Sequence, residues 1–416
     1  MKKNRSITLG IALVLLASIG SFAYIVCAPT SVFAKKPSPP LITVTIGDIA
    51  ASTDGLLSAQ AIADIAVDDI NNYFTILNEP YRLQVDVQDA QGRSDTHQTL
   101  VVDFNFRPEP VNLLLAGRWS AQAQMSLPYC DAFNMLMLSP SSTSTYFLSA
   151  PDDNLFRLCP SDAYQGVSLA HVVWSKGIEH VVLIQRSDAW GDGMFIHFTK
   201  EYAAFGGSLT GKPVRYPAEG GDFTEYLDAA EDQVATAIDT YGASKVGVVL
   251  VAFNEASNIL NLAKSDYSHL YGCTWFGTDG TTRNQYIINE AGEAAAHVKL
   301  YGLLPKENHG PNWGSVASRY TEKTGQPLAI YQDNEYDIFW IYALSIEKAK
   351  SADPMAVKKV LPSIAANYQG ISGYCGLNQY GDRLNPGFDI WGYIEGAPQF
   401  ECEGSVDVEN NVTWLP

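Results

Sequence analysis

The stretch VNLLLAGRWSAQAQMSLPYCDAFNMLMLSPSSTST, residues 111–145, contains two short apolar runs separated by a segment long enough for a helix. The runs, Val111–Ala116 and Met135–Leu138, suit buried strands and are too short to span a membrane. The segment between them is Ala121–Ala132. The pattern therefore predicts a β-α-β unit, in which a helix joins two parallel strands.

Small, hydroxyl-bearing residues follow each of these two predicted strands. Ser120 comes after the first strand, and Ser141–Thr143 come after the second. Ligands of parallel α/β sheets bind beyond the carboxyl ends of the strands, where hydroxyls and free N–H groups at helix starts suit a small carboxylate. Ser120, Ser141 and Thr143 are therefore candidate ligand-binding residues. The alternative is that these residues only cap helices and shape turns.

The two turns resemble those of the type I periplasmic binding proteins that serve ABC transporters, in particular the branched-chain amino-acid binders. In that family a Gly-x-x-Ser-like turn and an Ile-Ser-Pro-x-x-Thr-like turn hold the α-carboxylate and α-amino groups of the ligand. GRWSAQA, residues 117–123, is similar to the first turn, and LSPSSTS, residues 138–144, is similar to the second. The resemblance implies that Ser120 and Thr143 bind the ligand.

Length, composition and charge narrow the class of protein. The chain has 416 residues, of which 46% are hydrophobic and 17% are charged, so it can form full cores in two domains of ordinary size. Its formal net charge is −18. This acidity argues against a nucleic-acid partner, because phosphate binding depends on clustered Lys and Arg.

The amino terminus has the pattern of a secretory signal peptide. Basic residues precede the uncharged apolar segment Ile7–Ala28, and small residues follow it, which predicts a signal peptide in residues 1–34. The segment is also long enough for a membrane span, so an uncleaved amino-terminal anchor is the alternative. Residues 35–40 predict a short, stiff linker. In either case we expect the bulk of the protein outside the cytoplasm, in the periplasm or on the outer face of the cell membrane.

An odd number of cysteines follows the predicted signal peptide: Cys130, Cys159, Cys273, Cys375 and Cys402. An extracytoplasmic location permits disulfides, but with five cysteines at least one thiol has no partner within the chain. The sequence leaves the pairing open.

Strand-length apolar runs alternate with helical periodicity along most of the chain. This alternation predicts an α/β protein with parallel sheets covered by helices on both faces. The resemblance spans about residues 41–400 and implies two doubly wound lobes, joined by a three-strand hinge, with the ligand in the cleft between them. The implied division assigns residues 41–159 and 305–383 to the first lobe, and residues 160–304 and 384–416 to the second.

Sequence motifs for catalysis and cofactor binding are absent or incomplete. GGSLTGKP, Gly206–Pro213, approaches a phosphate-binding P-loop, but Pro213 has no hydroxyl for magnesium and would disrupt the helix that must follow. The sequence contains no G-x-S-x-G nucleophile elbow and no H-E-x-x-H zinc helix. We therefore expect no catalytic residue, no metal ion and no cofactor.

Two acidic residues are candidates for the second side of the cleft. Asp279 ends a predicted strand, and the resemblance implies that an acid there pairs with a ligand ammonium, across from Ser120 and Thr143. Asp162 resembles the cleft acid of the family turn Asp-Ser-Ser-Gln-Gly. For each of them the alternative is that it caps the helix that follows.

Three aromatic residues, Trp119, Trp190 and Phe253, are candidates for the wall of the ligand pocket. Aromatic faces there supply apolar area or a cation–π contact. The alternative is simple packing within the fold.

The combined expectation is a solute-binding component of an ABC importer. It would bind an amino acid, branched-chain or hydrophobic, or a similar small zwitterion by hinge closure, and present the closed form to the permease subunits in the membrane. A membrane-tethered sensory domain for amino acids or amides is the alternative, which an uncleaved anchor at Ile7–Ala28 would favour. An enzyme is disfavoured, because no nucleophile–base or metal constellation is recognisable.

Overall fold

The computed structural model describes residues 40–149, 152–394 and 400–416. The predicted signal peptide or anchor, residues 1–34, lies outside the described residues, as does all of the predicted linker except Pro40. No helix in the three described ranges has the length and hydropathy of a transmembrane segment.

Strands and helices alternate along most of the described chain. The strands are β1 (Ile42–Ala50), β2 (Tyr81–Asp89), β3 (Leu113–Leu115), β4 (Leu136–Ser139), β5 (Leu155–Arg157), β6 (His180–Arg186), β7 (Ser208–Leu209), β8 (Val214–Tyr216), β9 (Val246–Val251), β10 (Thr274–Gly277), β11 (Tyr301–Pro305), β12 (Gln369–Gly370), β13 (Gly373–Tyr374), β14 (Phe388–Tyr393), β15 (Phe400–Val406) and β16 (Val412–Trp414). The helices are α1 (Leu56–Leu77), α2 (Ser94–Phe106), α3 (Ser120–Ala132), α4 (Asp162–Ser175), α5 (Ala189–Ala204), α6 (Thr224–Tyr241), α7 (Ala256–Asp266), α8 (Ser268–Tyr271), α9 (Gln285–His297), α10 (Trp313–Thr324), α11 (Gln332–Ala349) and α12 (Pro354–Ala365).

The first lobe is built on a parallel sheet with the strand order β2-β1-β3-β4-β5. Its central strand is β3, so the β-α-β unit predicted from residues 111–145 lies in the middle of the sheet. Leu113 and Leu115 pack with α1, α10, α11 and α12, whereas Leu114 packs with α2 and α3. Because successive side chains of a strand point to opposite faces, helices cover both faces of this sheet.

The second lobe is built on a larger sheet with the order β16-β15-β14-β11-β10-β9-β6-β7, in which β8 also pairs with β6. The pairings among β6 to β11 are parallel, as the alternation of strands and helices predicts. The last three strands differ, since β14, β15 and β16 pair antiparallel. Short connections join β14 to β15 and β15 to β16, and a parallel pairing would need a longer crossover.

The chain passes between the two sheets three times. It leaves the first sheet after β5, returns to the first lobe after β11, and crosses again between Arg383 and β14. The first and third crossings lie side by side, because Arg157 and Asp382 form a backbone bridge and a two-pronged ion pair of 2.6 and 2.8 Å. These connections form the expected three-strand hinge. The predicted lobe boundaries at residues 159/160, 304/305 and 383/384 stay a prediction.

All five cysteines within the described ranges are free thiols. Cys130, Cys159, Cys273 and Cys375 are buried, whereas Cys402 is exposed. Burial raises the pKa of the Cys375 thiol to about 12 and that of Cys273 to about 11. These two thiols are therefore protonated and unreactive near neutral pH.

Candidate functional site

A cavity of about 170 Å³ lies between the lobes, at the carboxyl ends of strands from both sheets. Seven of the eight predicted site residues line it, and the eighth, Asp162, is fully buried nearby. The sequence did not single out Arg118, Gly280 or Tyr331, which also line the cavity. The predicted residues that line it are Trp119, Ser120, Ser141, Thr143, Trp190, Phe253 and Asp279.

Hydroxyl groups and the start of α3 form the side of the cavity that belongs to the first lobe. Ser120 is the first residue of α3, and its hydroxyl oxygen accepts hydrogen bonds from the Ser142 hydroxyl at 3.3 Å and the Ser144 amide at 3.2 Å. Trp119 at the helix start provides no side-chain cap. The N–H groups of the first turn of α3 are therefore free to donate hydrogen bonds to an anion, and the helix dipole favours an anion there.

Ser139, the last residue of β4, shapes the turn that follows the strand. The Ser139 hydroxyl accepts a hydrogen bond from the Ser142 amide at 3.0 Å, and the Ser141 hydroxyl donates to the Arg118 carbonyl at 2.9 Å. Thr143 is buried, and its carbonyl accepts a hydrogen bond from the Asp162 amide at 2.8 Å. The turn thus holds Ser141 and Thr143 at the cavity wall.

Arg118 is a buried cation whose charge is already matched. Its guanidinium donates to Asp48 at 2.7 Å, to both carboxylate oxygens of Glu335 at 2.9 Å and to the Ile49 carbonyl at 2.5 Å. Burial raises the pKa of Asp48 to about 6, against the opposing effect of Arg118. Two carboxylates surround one guanidinium, so Arg118 brings no net positive charge to the cavity. The sequence could have indicated a role for Arg118, because an arginine that directly follows a buried strand needs acidic partners nearby.

The second lobe presents a buried carboxylate to the cavity. Asp279 accepts a hydrogen bond from the Tyr331 hydroxyl at 2.8 Å through Oδ2, while its Oδ1 has no partner in the described part of the chain. No hydrogen bond of good geometry reaches either carboxylate oxygen of Asp162 from the described residues, although the nearby Thr143 side chain opposes the rise of its pKa. Buried carboxylates without partners are costly, so this region favours an incoming cation.

The two acids influence each other's protonation. Burial raises the pKa of Asp162 well above its ordinary value, and the nearby charge of Asp279 raises it further. Burial also raises the pKa of Asp279, against the opposing effect of the hydrogen bond from Tyr331. Neighbouring carboxylates in a site of low polarity resist ionising together.

Neither acid caps a helix. Ser161 caps α4, since its hydroxyl accepts a hydrogen bond from the Ala163 amide at 3.3 Å. Asn284 caps α9, because its side chain accepts hydrogen bonds from the first amides of that helix. The capping alternatives for Asp162 and Asp279 are therefore wrong.

Tyr331 joins the first lobe to Asp279 of the second. It stands at the start of α11 with φ 74° and ψ −29°, in the left-handed region that bulky residues rarely adopt. Such conformations persist where the surrounding structure imposes them and often mark functional sites. Local sequence gave no signal for this role, because the contact spans 52 positions of the chain.

Aromatic rings form the remaining wall. The Trp190 and Phe253 rings stack with centroids 4.2 Å apart and planes 5° from parallel. Trp119, from the first lobe, stacks against Phe253 at 5.8 Å and 23°. Gly280 permits this packing, since a Cβ there would lie 2.6 Å from the Trp190 ring and 2.7 Å from the Phe253 ring.

Further direct contacts hold the lobes together around the cavity. The Ser144 hydroxyl donates to the Ala189 carbonyl at 2.6 Å, and the Tyr286 hydroxyl donates to Asp54 at 2.8 Å. Each bond joins one lobe to the other. The cleft is therefore bridged at more than one place.

The described residues offer no obvious site for a metal ion. No cluster of three or more His, Cys, Asp or Glu side chains that could hold one is found in the three described ranges. The expectation of no metal ion and no cofactor stays a prediction.

Fold and site together define a ligand-binding protein of the type I periplasmic binding class. Residues 59–396 match the model of the family described as the receptor family ligand binding region. This range covers most of the chain, so the protein belongs to that family. Proteins with this fold typically bind ligands without transforming them.

Solved structures of branched-chain amino-acid binding proteins are similar to this one. The leucine-binding protein LivK of Thermotoga maritima superposes with a TM-score of 0.73 at 19% identity, over 88% of this chain and 100% of that one. LivJ of Streptococcus pneumoniae, in complex with isoleucine, gives 0.70 at 16% identity, over 88% and 100%. At these identities the likeness shows the fold alone, and it confirms the predicted fold class.

Two other relatives complete the comparison. A type 1 periplasmic binding protein of Bordetella pertussis superposes with a TM-score of 0.71 at 16% identity, over 87% of this chain and 99% of that one. An uncharacterised protein of Methanocaldococcus jannaschii is 24% identical over 352 residues, which are 80% of this chain and 82% of that protein. The chain therefore matches 82% of the length of one of these relatives and 99% of the other.

Proposed function

We propose that this protein is the extracytoplasmic solute-binding component of an ABC importer, and that it binds an amino acid or a similar small zwitterion between its lobes. One observation carries the proposal. A buried carboxylate with a free oxygen, that of Asp279, faces the same cavity as the uncapped start of α3 at Ser120.

The acidic side of the cavity suits an ammonium group. Asp279 Oδ1 has no partner within the described ranges, and Asp162 adds a second buried carboxyl close by. Arg118 is matched by Asp48 and Glu335, so it does not neutralise this side. An ammonium bound at Asp279 would gain a charge-assisted hydrogen bond shielded from water.

The opposite side suits a carboxylate. The Ser120 and Thr143 side chains and the first N–H groups of α3 offer hydrogen-bond donors at the positive end of a helix dipole. A zwitterion would thus bind the first lobe through its carboxylate and the second lobe through its ammonium. Such a ligand favours the closed state, in which both lobes contact it, over the open state. The size of this shift equals the difference between its binding free energies for the two states.

The likeness to known transport proteins supports the proposed role in import. LivK is a leucine-binding protein, LivJ is a substrate-binding protein of a branched-chain amino-acid transporter, and both share this fold over 88% of the chain. Hinge closure around a ligand is a general property of two-lobed binding proteins. In the proposed role, the permease subunits recognise the closed form.

Amino acids are expected to raise the melting temperature of the protein, because they bind the folded state and not the unfolded chain. At a concentration 100 times the dissociation constant, the stabilisation is about 2.7 kcal/mol. A thermal-shift screen of the twenty amino acids measures it. Matched controls are the amide of each active amino acid, which lacks the carboxylate, and the acid that lacks the amino group. Equal shifts with a control and its parent amino acid would contradict the zwitterion site.

Binding is also expected to release protons. The raised pKa values of Asp162 and Asp279 mean that the ligand-free pair retains protons above the ordinary range of a carboxyl. An incoming ammonium favours the ionised form, so a proton leaves as the ligand binds. Calorimetry at one pH in two buffers of different ionisation enthalpy measures this release as a difference in apparent heat.

The sign of the pH dependence follows from the same shifts. Because the folded protein binds more protons at this pair than the unfolded chain does, the pair's contribution to ligand-free stability is largest at low pH and falls as the pH rises through the raised pKa values. Ligand affinity changes in the opposite sense and weakens on acidification. The Asp162→Asn variant should release fewer protons. Identical heats in both buffers for the unaltered protein would refute the coupling.

A further inference from the structure

The cavity adjoins a larger groove of about 600 Å³, with which it shares lining residues. Trp119, Ser120, Trp190 and Phe253 line both spaces. These four residues therefore form the partition between the cavity and the groove. Two of them, Trp119 and Phe253, come from opposite lobes and stack on each other, so their rings close the partition across the cleft.

The rings of the partition pack against neighbouring residues of both lobes. Phe253 stacks on Trp190 at 4.2 Å, and Gly280 leaves no room for a side chain beside them. Trp119 lies over Gly92, where a Cβ would sit 3.8 Å from the indole ring. Gly92 has φ +74°, which disfavours any other residue there.

The groups that would bind the ends of a zwitterion line other parts of the cavity. The bond from Tyr331 to Asp279 closes one side. Ser120 and the turn with Thr143 form the floor in the first lobe. A ligand held at both ends therefore directs its side chain toward the Trp119–Phe253 partition, and this argument rests on the proposed function.

We propose that the Trp119–Phe253 partition is a size filter that restricts the ligand to amino acids with small side chains. A cavity of about 150 Å³ accommodates benzene, so the present cavity suits a ligand of roughly six to eight non-hydrogen atoms. Alanine and serine fall in that range. Leucine and phenylalanine exceed it and would have to displace a ring of the partition.

Opening the partition should admit longer side chains. Replacing Trp119 by alanine joins the 170 Å³ cavity to the 600 Å³ groove. Calorimetric titration with alanine, valine, leucine and phenylalanine tests this. The unaltered protein should bind leucine more weakly than alanine by about tenfold or more, since each methylene that a pocket excludes contributes a factor of that size. In Trp119→Ala, leucine should bind as tightly as alanine or more tightly.

Two further variants keep the test decisive. Phe253→Ala opens the same partition from the second lobe and should give the same change of ratio if Trp119→Ala folds poorly. Trp313→Ala is the matched control, because Trp313 stacks on His309 and lines neither space. This variant should keep the ratio of alanine to leucine affinity that the unaltered protein has.

The outcomes separate the two proposals. If the unaltered protein binds leucine as tightly as alanine, or if both partition variants keep its ratio, the size filter is wrong and the zwitterion site stands. If the unaltered protein binds no amino acid, the proposed function fails, and the size filter fails with it.

Discussion

Replacing Asp279 by asparagine is expected to weaken binding of the amino-acid ligand by about 2–5 kcal/mol, as for truncation of one partner of a buried charge pair. The substitution removes the negative charge that faces the cavity but keeps the shape of the side chain. An asparagine oxygen still accepts the hydrogen bond that Tyr331 donates at 2.8 Å, so the contact between the lobes is preserved. Isothermal titration calorimetry with the ligand found by thermal shift measures the loss.

Loss of binding in this variant would not come from unfolding. Asp279 is a buried carboxyl with a raised pKa, so its ionised form destabilises the ligand-free fold, and asparagine removes that charge. We therefore expect the melting temperature of the ligand-free variant to be unchanged or higher. Asp239→Asn on α6, an exposed position, is the control with the same change of net charge. Unchanged affinity in Asp279→Asn would reject the role of Asp279.

The parts of the site that the sequence predicts are those that follow from sheet topology. Parallel strands of one sheet bring their carboxyl ends to one edge, so the polar residues after β3 and β4 converge wherever the rest of the chain goes. This rule brought Ser120 and Thr143 together from local patterns, whereas the resemblance placed Asp279 across from them, and all three line one cavity. The resemblance to the binding-protein family added the second lobe opposite the first.

The parts that local patterns could not supply depend on contacts between distant segments. Arg118 is bound by Glu335, which lies 217 positions away, and Tyr331 reaches Asp279 from the start of a helix. A tyrosine before a helix has many possible partners, so the sequence does not identify the one it contacts. The sequence also does not predict the left-handed backbone conformation of this residue. The sequence analysis also missed the antiparallel strands at the end of the second sheet. A short connection permits two strands to pair antiparallel, but it does not show that they pair.

Arg157 links the hinge to the turn that contains Ser141 and Thr143. Its guanidinium holds both carboxylate oxygens of Asp382, at 2.6 and 2.8 Å, where the third crossing leaves the first lobe. It also donates to the carbonyls of Ser142 and Ser144 at 2.8 and 2.7 Å, on either side of Thr143. Both partners of the ion pair are almost fully buried. The same side chain therefore positions the turn and ties two crossings together.

Arg157→Met is expected to lower the free energy of unfolding by about 3–5 kcal/mol, because it leaves the Asp382 carboxylate buried without a partner. Urea denaturation followed by circular dichroism measures the change. Arg215→Met, which breaks the exposed pair with Asp192, is the control and should change the free energy by less than about 1 kcal/mol. The double variant Arg157→Met/Asp382→Leu removes the unpaired charge and should recover much of the stability, although Ser142 and Ser144 still lose their donor. A double variant no more stable than Arg157→Met would mean that the arginine acts through the two turn carbonyls and not through the ion pair.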